Sequence, residues 1–360
     1  MIVNNISISN VRNLKSTEIT LSDNINIFYG RNGQGKTNFL ESVYFAAMGR
    51  SFRTNSYKEM ITFGENNCNI KLITKGEYSK NTIFIDLQKD KKIIEVNGLP
   101  IKKLSDLFST FLVIIFSPED LNIISGGPSL RRKFLDINLC QLSPIYYNTL
   151  GRYYHILNQR NNLLKKIKLG KNNKDTIFLW DKQLVENGIK LIEYRNKYIQ
   201  SLCEVSKKFY HKITNKQEDL NIIYKPNVSE EYYANRINNF LEKDIVLGTT
   251  SIGIHKDDFL VFINDIEAKQ FASQGQKRSI SLALKLSGVE YIKENGTLPL
   301  LLLDDVLSEL DEVRQQLLLT SIQGLQTIIT CTGLEDILKK IDKNIDITMY
   351  EVKDGEIYKS

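Results

Sequence analysis

A glycine-rich segment ending in lysine and threonine lies near the start of the chain, between a short apolar run and a helix-like run. Its eight residues are Gly30, Arg31, Asn32, Gly33, Gln34, Gly35, Lys36 and Thr37. They match the pattern G-x-x-x-x-G-K-[ST], in which glycines allow successive backbone N–H groups to point at an anion. Lys36 can reach the β- and γ-phosphates of a nucleotide and act in catalysis, and the Thr37 hydroxyl is a hard ligand for Mg²⁺. We therefore expect this segment to bind ATP and Mg²⁺ rather than to form a plain surface turn.

Two adjacent aspartates, Asp304 and Asp305, directly follow the apolar run Leu300–Leu303. Such a run is typical of a buried strand, and the ligands of α/β sheets bind at the carboxyl ends of their strands. We expect Asp304 to hold Mg²⁺, directly or through water. Asp305 would orient or deprotonate the water that attacks the nucleotide. For either residue alone, capping of a helix near Ser308 is an alternative.

A third polar segment, Ser273-Gln-Gly-Gln276, precedes the run Lys277–Glu294, which we interpret as a helix. Backbone N–H groups at a helix N-terminus favour an anion. We therefore expect Ser273, Gly275 and Gln276 to contact the nucleotide, although an ordinary helix cap has a similar sequence. The order of the three segments along the chain supports a nucleotide-binding role for Ser273–Gln276.

Positive charge is concentrated in one part of the chain. The whole sequence has 48 Lys+Arg and 42 Asp+Glu, a net charge of only +6. Between Arg131 and Asn215 there are 17 basic and 6 acidic residues, so this segment carries +11 and the remainder −5. It is either a solvated helix surface or a stripe that binds nucleic-acid phosphates. Arg131, Arg132 and Lys133 are the residues that we expect to contact DNA.

The composition argues against several classes of protein. Hydrophobic residues make up 42% and charged residues 25% of the 360 residues, as in ordinary globular proteins. The four cysteines and three histidines are scattered, so we expect neither a disulfide framework nor a structural zinc site. No apolar run approaches the roughly 18 residues of a membrane span, and the first residues do not resemble a signal peptide. We expect no membrane partner and a cytoplasmic location.

The sequence pattern predicts that the elements which position these residues form an α/β unit interrupted by helices. Apolar runs between polar turns predict strands at Ile6–Ser9, Asn24–Tyr29, Asn69–Thr74, Thr82–Leu87 and Ile93–Val96. The alternation of apolar and polar residues in Ile70–Ile73 and Ile83–Leu87 predicts half-buried antiparallel pairs. Helical spacing on both sides of the polar stretch Gly170–Lys174 predicts two antiparallel helices of about 20–30 residues. The apolar runs Leu300–Leu303 and Gln326–Thr330, separated by a helix, predict a parallel sheet.

The order of these motifs resembles that of the ATP-binding-cassette (ABC) ATPases, and within them the SMC-like DNA-repair heads. Shorter segments are similar to those of bacterial recombination proteins in that family, and the resemblance extends from Met1 to about Thr332. These segments are Phe116–Leu121, Arg131–Asp136, Gln159–Asn161, Phe271–Arg278 and Leu303–Asp311. The resemblance implies an α/β ABC-type P-loop ATPase head built from residues 1–116 and 244–360, with an inserted, basic antiparallel helical lobe at 117–243.

The resemblance also implies that ATP joins two copies of the chain. Ser273–Gln276 of one copy would cover the γ-phosphate held by Lys36 of the other, and Asp311 would lie at the dimer interface. No histidine follows the last core strand, and Asp305 stands where a glutamate is commoner, so the resemblance implies a weak, DNA-stimulated ATPase. Ser117–Asp120 is either the nucleotide-sensing loop of the family or a plain helix cap.

In this family DNA binds across the paired heads, preferentially at gaps and at junctions of single strands with duplex. The resemblance implies that the protein helps to load the recombinase together with recombination mediator proteins. A basic segment without a base-reading motif is suited to such contacts with phosphates. The segment His255–Asp258 departs from the family at Ile254 and Lys256, so we assign it no catalytic role.

Three other functions remain open on the sequence. The nucleotide-binding subunit of a transporter would place its second cap roughly a hundred residues beyond the lysine, whereas Ser273 lies 237 residues beyond Lys36. A small-molecule kinase with a P-loop leaves Ser273–Gln276 unexplained. An ATP-gated DNA clamp without meaningful turnover differs from a weak ATPase in its single-turnover hydrolysis with and without DNA.

Overall fold

A computed structural model describes residues 1–76, 79–108, 110–171, 173–339, 341 and 346–360. The chain divides into two compact units. Unit 1 contains Met1–Asp120 and Lys285–Ser360, and unit 2 contains Leu121–Leu284. One unit is thus built from both parts of the chain that flank the other, as predicted.

Strands dominate the beginning of the chain, and helices dominate its centre. The strands described are β1 (Ile2–Ser9), β2 (Thr17–Thr20), β3 (Ile25–Tyr29), β4 (Asn67–Lys75), β5 (Lys80–Gln88), β6 (Lys92–Val96), β7 (Leu99–Pro100), β8 (Val113–Phe116), β9 (Leu220–Lys225), β10 (Asp258–Ile263), β11 (Ile266–Glu267), β12 (Leu300–Asp304), β13 (Thr327–Cys331), β14 (Ile347–Lys353) and β15 (Glu356–Lys359). The α-helices described are α1 (Lys36–Met48), α2 (Ser105–Phe108), α3 (Asn122–Ser125), α4 (Pro128–Leu142), α5 (Pro144–Lys168), α6 (Ile177–Thr214), α7 (Tyr233–Asn239), α8 (Leu241–Leu247), α9 (Ala268–Phe271), α10 (Gln274–Glu294), α11 (Glu312–Ser321) and α12 (Leu334–Leu338). None of these helices has both the length and the apolar composition needed to cross a membrane.

Unit 1 is built on a six-stranded sheet in the order β15-β14-β3-β13-β12-β8. Its neighbouring strands are parallel, except for the antiparallel pair β14–β15. The apolar run of β12 is fully buried, as expected for a central parallel strand. Phe28 of β3 stacks on Phe39 of α1, with 4.2 Å between ring centroids, and on Tyr350 of β14. These contacts fix α1 on the sheet directly after the glycine-rich segment.

A second sheet of unit 1 is antiparallel, in the order β2-β1-β4-β5-β6-β7. Along β4 the residues Cys68, Ile70, Leu72 and Thr74 are buried, while the residues between them are more exposed. This alternation confirms the half-buried strands predicted from the sequence. The predicted strands of β3, β12 and β13 are likewise confirmed to within a few residues.

Unit 2 contains the predicted pair of helices and a three-stranded sheet. Helices α5 and α6 are joined by residues 169–176 and pack against each other, with Leu184, Leu191 and Tyr198 among the buried residues. At 38 residues, α6 is longer than predicted. The sheet has the order β11-β10-β9, with antiparallel neighbours.

Two expectations about organisation are corrected. The inserted lobe does not end at residue 243, because β10 pairs with β9 and with β11, so the segment up to Leu284 belongs to unit 2. The boundary at 284–285 lies within α10. The predicted helix opening at Ser117 leads only to a 3₁₀ turn at Pro118–Leu121 and to the four-residue α3.

Candidate nucleotide-binding site

The glycine-rich segment forms a tight loop between β3 and α1. Gly30, Gly33 and Gly35 have φ values of 151°, 78° and 121°, which side chains other than hydrogen rarely allow. A Cβ atom on Gly30 would lie 2.3 Å from the carbonyl oxygen of Val352, and one on Gly35 would lie 2.6 Å from Leu14. The loop therefore needs glycine for both its conformation and its packing. It leads directly into the N-terminus of α1, where the helix dipole favours an anion.

Lys36 lies in the first turn of α1, and only 6% of its surface is exposed. Its ammonium donates hydrogen bonds to the carbonyl oxygens of Gly30 at 2.8 Å and Arg31 at 3.0 Å. Burial lowers the pKa of Lys36, and the negative charges of Asp305 and Asp304 partly oppose that shift. A phosphate group would offset the cost of burying this cation, which suits Lys36 to the predicted role.

Thr37 and Asp304 are 267 residues apart in sequence, and the fold brings them into contact. Thr37 Oγ1 donates a hydrogen bond of 2.8 Å to Asp304 Oδ1, and Thr330 Oγ1 donates one of 2.9 Å to the same oxygen. The contact forms because β3, β13 and β12 are parallel, so that their carboxyl ends meet at one edge of the sheet. Burial raises the pKa of Asp304, and the bonds from the two threonines act against that rise. A hydroxyl and a carboxylate are the hard oxygen ligands that Mg²⁺ prefers, so this pair fits the predicted ion.

Asp305 is held beside this pair by its backbone. It has a left-handed conformation, with φ 53°, and its N–H donates to Thr330 Oγ1 at 3.0 Å. Its carbonyl oxygen accepts a hydrogen bond from the Ser308 hydroxyl at 2.7 Å. Asp305 therefore lies at the carboxyl end of β12 next to Asp304, as predicted. Thr330 was not among the predicted site residues, although its position at the end of a predicted strand was a usable signal.

A loop near the N-terminus supports the glycine-rich segment from one side. Asn13 Nδ2 donates to the carbonyl oxygen of Gly33 at 2.9 Å, and Asn38 Nδ2 donates to Asn13 Oδ1 at 2.7 Å. Arg12 forms two hydrogen bonds, of 3.0 and 3.1 Å, with the fully buried Glu41 of α1. Sequence analysis missed this support because these residues belong to no recognised motif.

Ser273 and Gln276 form a reciprocal cap at the start of α10 in unit 2. The Ser273 N–H donates to Gln276 Oε1 at 2.8 Å, and the Gln276 N–H donates to Ser273 Oγ at 3.2 Å. Gln276 Nε2 also donates to Glu218 Oε1 at 2.8 Å. Ser273 is exposed, and Gly275 and Gln276 are partly exposed. The segment is thus an ordered cap with an exposed serine, and its contact with a nucleotide remains a prediction.

Asp311 begins α11 in unit 1. Its Oδ1 accepts a hydrogen bond of 3.0 Å from the Arg314 N–H, and its carboxylate pairs with the Arg314 side chain. About half of the Asp311 side chain is exposed. These contacts lie within one chain, so the position of Asp311 at a dimer interface remains a prediction.

The three residues predicted to contact DNA differ in their accessibility. Arg131 is 3% exposed and forms hydrogen bonds of 2.6 and 2.9 Å to the two carboxylate oxygens of Asp258. Arg132 is partly exposed and donates to the Asp257 carbonyl oxygen at 2.7 Å, and Lys133 is exposed. The expectation for Arg131 is therefore corrected, because its guanidinium is buried in an ion pair and does not face solvent.

The segment His255–Asp258, to which we assigned no catalytic role, lies in a buried polar network of unit 2. Asp257 accepts a hydrogen bond of 2.9 Å from Arg195, which is fully buried, and one of 2.8 Å from the Asn227 N–H. His255 contacts the hydroxyl of Tyr153 at 2.9 Å. These contacts join the segment to α5 and α6, so its polar residues stabilise unit 2.

The glycine-rich loop and Lys36, together with the acids at the end of β12 on one parallel sheet, define an ATPase head of the ABC type. The model of the family described as "RecF/RecN/SMC N terminal domain" matches residues 2–355. The chain belongs to this family.

Two relatives that cover nearly the whole chain are named as DNA replication and repair proteins. The protein called "DNA replication and repair protein RecF" from Lachnoclostridium phytofermentans is 41% identical over 362 residues, covering 100% of both chains. The protein of the same name from Clostridium tetani is 44% identical over 367 residues, covering 99% of both.

Solved structures agree with this assignment. "Structure of the recombination mediator protein RecF-ATP in RecFOR pathway" superposes with a TM-score of 0.91 at 36% identity, covering 99% of this chain and 97% of that one. An SMC head from Pyrococcus furiosus superposes with a TM-score of 0.57 at 13% identity, over 99% of this chain and 95% of that one, and so shares the fold.

Proposed function

We propose that this protein binds ATP and Mg²⁺ in unit 1, dimerises when ATP binds, and binds DNA in recombinational repair and replication restart. It would bind single-stranded, gapped or junction DNA and hydrolyse ATP slowly. It would help to load the recombinase together with mediators of the RecR and RecO type. The observation that carries the proposal is the hydrogen bond between Thr37 and Asp304, next to the buried ammonium of Lys36.

The residues of the site divide the work of binding and hydrolysis. The glycine loop and Lys36 would hold the phosphates, and Thr37 and Asp304 would hold Mg²⁺. When bound, Mg²⁺ neutralises part of the negative charge of the phosphates. Asp305 would orient the attacking water or accept its proton. The choice of ATP is supported by a relative of 36% identity, RecF, whose solved structure is named as that of RecF-ATP.

Dimerisation by ATP is supported by the accessible cap of α10. Ser273 is exposed at the N-terminus of a 21-residue helix, and Asp311 is exposed at the start of α11. A second copy of the chain could supply these groups to the nucleotide held by Lys36. Contacts available only in the dimer would then shift the population from monomer to dimer when ATP binds.

Sedimentation of the wild type and two variants, with and without Mg-ATP and gapped DNA, tests this proposal. We expect the wild type to dimerise with Mg-ATP and Lys36→Arg to bind nucleotide less well. Ser273→Arg should still bind nucleotide as a monomer but should not dimerise, because the long, charged arginine side chain obstructs the interface.

Ser229→Arg is the matched control, since Ser229 is also exposed in unit 2 and the substitution is the same. This control should dimerise like the wild type. A Ser273→Arg protein that dimerises normally would exclude the cap from the interface. A wild-type protein that does not bind Mg-ATP would remove the proposal altogether.

The other functions are less well supported. Membership of the RecF/RecN/SMC family over residues 2–355 argues against a transporter subunit and a small-molecule kinase. The DNA clamp without turnover shares the same site and differs only in hydrolysis. Single-turnover hydrolysis with and without DNA separates it from the weak ATPase.

A further inference from the structure

The hairpin of β14 and β15 lies beside the glycine-rich loop. The two strands are joined by the two-residue turn Asp354-Gly355, whose φ values of 49° and 77° are both left-handed. Strand β14 pairs with β3 up to Tyr29, and the next residue of β14, Val352, lies against Gly30. The hairpin therefore continues beyond the end of β3, beside the loop.

Two hydrogen bonds join the turn to the glycine-rich loop and to the N-terminal loop that contains Asn13. The Asp354 N–H donates a hydrogen bond of 2.5 Å to Gln34 Oε1. The Gly355 carbonyl oxygen accepts one of 2.9 Å from the Lys15 N–H, and a Cβ atom on Gly355 would lie 2.1 Å from the Asn13 carbonyl oxygen. Asn13 in turn holds the Gly33 carbonyl oxygen. The turn thus contacts the loop directly through Gln34 and indirectly through Asn13.

We propose that the Asp354-Gly355 turn is a positioning element that holds the glycine-rich loop in its nucleotide-binding conformation. This inference rests on the proposed binding of ATP to unit 1. A loop with several glycines has many accessible conformations, and binding loses affinity if the loop must be ordered at that moment. Contacts from the turn would order the loop before the nucleotide binds, so that less conformational entropy is lost on binding.

Gly355→Ala tests the proposal, because an added methyl group must push the turn away from Asn13 and so from Gln34. Gly98→Ala is a closely matched control. Asn97-Gly98 is also a two-residue turn between antiparallel strands of unit 1, with φ values of 55° and 76°. A Cβ atom on Gly98 meets nothing within 4 Å. Both variants therefore carry the same left-handed strain, but only Gly355→Ala disturbs the loop.

The dissociation constant of a fluorescent non-hydrolysable ATP analogue, measured with Mg²⁺ at a temperature where circular dichroism shows each protein folded, is the readout. We expect Gly355→Ala to weaken binding about tenfold and Gly98→Ala to leave it within about twofold. Equal affinities of these two variants would overturn the proposal. Failure of the wild type to bind would instead refute the proposed function, so the two failures are distinguishable.

Gln34→Ala keeps the test decisive if Gly355→Ala does not fold. It removes the acceptor of the Asp354 N–H and leaves the turn itself unchanged, so it should also weaken binding. Where Gly355→Ala does fold, the loss of affinity in the double variant should be smaller than the product of the single losses, because both substitutions break the same contact. Unchanged affinity in Gln34→Ala, or fully independent losses, would show that the turn does not act through Gln34.

Discussion

Asp305 has a left-handed backbone and lies beside the proposed phosphate site. Asparagine tolerates this conformation better than most residues, so Asp305→Asn removes the negative charge without adding backbone strain. We expect this variant to bind Mg-ATP and to dimerise like the wild type. Its single-turnover hydrolysis should be slower by roughly 100-fold, the usual loss when a general base is removed.

Asp90→Asn is the control for Asp305→Asn, because the side chain of Asp90 is 98% exposed and lies in a turn. It should hydrolyse ATP at the wild-type rate. A wild-type rate in Asp305→Asn would assign the attacking water to another residue.

His255 is partly buried and is held in its neutral form. Its Nε2 lies 3.0 Å from the Thr250 carbonyl oxygen, which can only accept, so Nε2 carries the proton and Nδ1 accepts from the Tyr153 hydroxyl. Burial lowers the pKa of His255 from 6.5 to about 4. In the unfolded chain this histidine takes up a proton at a higher pH than in the folded chain. Its contribution to stability is therefore present above pH 6.5 and is lost as the pH falls toward 4.

We expect the wild type to lose about 2 kcal/mol of unfolding free energy between pH 7.5 and 5 through His255 alone. Urea unfolding of wild type and His255→Gln at both pH values measures this share as the difference between their losses. His155→Gln is the control, since His155 is exposed on α5. Identical pH profiles of the wild type and His255→Gln would contradict the assignment.

In the basic segment of unit 2, three of the five arginines are buried, whereas none of the lysines is. Between residues 131 and 215, Arg131, Arg160 and Arg195 are buried in ion pairs with aspartates, whereas most lysines are exposed. A guanidinium can bond several acceptors in a fixed plane, while an ammonium is more strongly hydrated. Counting both as one positive charge led to the wrong expectation for Arg131.

At the scale of elements, two helical glycines of unit 2 have opposite surroundings. Gly188 of α6 is buried, and a Cβ atom there would lie 2.3 Å from the Tyr233 ring of α7. Gly151 of α5 is exposed, and a Cβ atom there meets nothing within 4 Å. Gly188→Ala should lower the unfolding free energy by about 1–3 kcal/mol through overpacking. Gly151→Ala should raise it by about 0.5–1 kcal/mol, since alanine favours the helix.

Denaturant unfolding of both variants checks these opposite signs, and each variant serves as the control for the other. A loss of stability in Gly151→Ala, or none in Gly188→Ala, would contradict the packing described for α6 and α7.

Elements with a strong local pattern were predictable, and elements defined by distant pairing were not. The buried run of β12 and the apolar stripes of α5 and α6 carry their own periodicity. By contrast, β14 pairs with β3, which lies more than 300 residues earlier in the sequence. The residues around Ile347 contain no local pattern that predicts this pairing. The contact of Thr330 with Asp304 was also missed, although it joins two strands that the sequence predicted.

At the scale of the whole molecule, a group of lysines near the end of α5 is a further candidate for the proposed DNA contacts, in addition to Arg132 and Lys133 of α4. Lys165, Lys166, Lys168 and Lys171 are exposed there within seven residues. Substitution of all four by glutamine should weaken binding to gapped DNA uniformly across sequences. Because each lost phosphate contact lowers the salt slope by about 0.7–0.9, the slope of log affinity against log salt should decrease by about 3.

Glutamine at Lys182, Lys190, Lys197 and Lys208 of α6 makes the same change in net charge and provides the control. Three acids of α6, Glu186, Glu193 and Glu204, lie within one helical turn of these lysines in sequence. The control should alter the slope much less. Equal effects of the two sets would mean that DNA senses only the total charge of the protein.

The position of β3 between β13 and β14 has a consequence for synthesis on the ribosome. When residues 25–29 emerge, neither neighbouring strand has been translated, and both edges of β3 are exposed in the nascent chain. Unit 2 is contiguous in sequence and can fold during translation, before β3 has a partner strand. The parallel sheet of unit 1 is completed only after the residues from 347 onward have been synthesised. We therefore expect newly made chains to depend on chaperones during this interval, and pauses in translation before that point to increase aggregation.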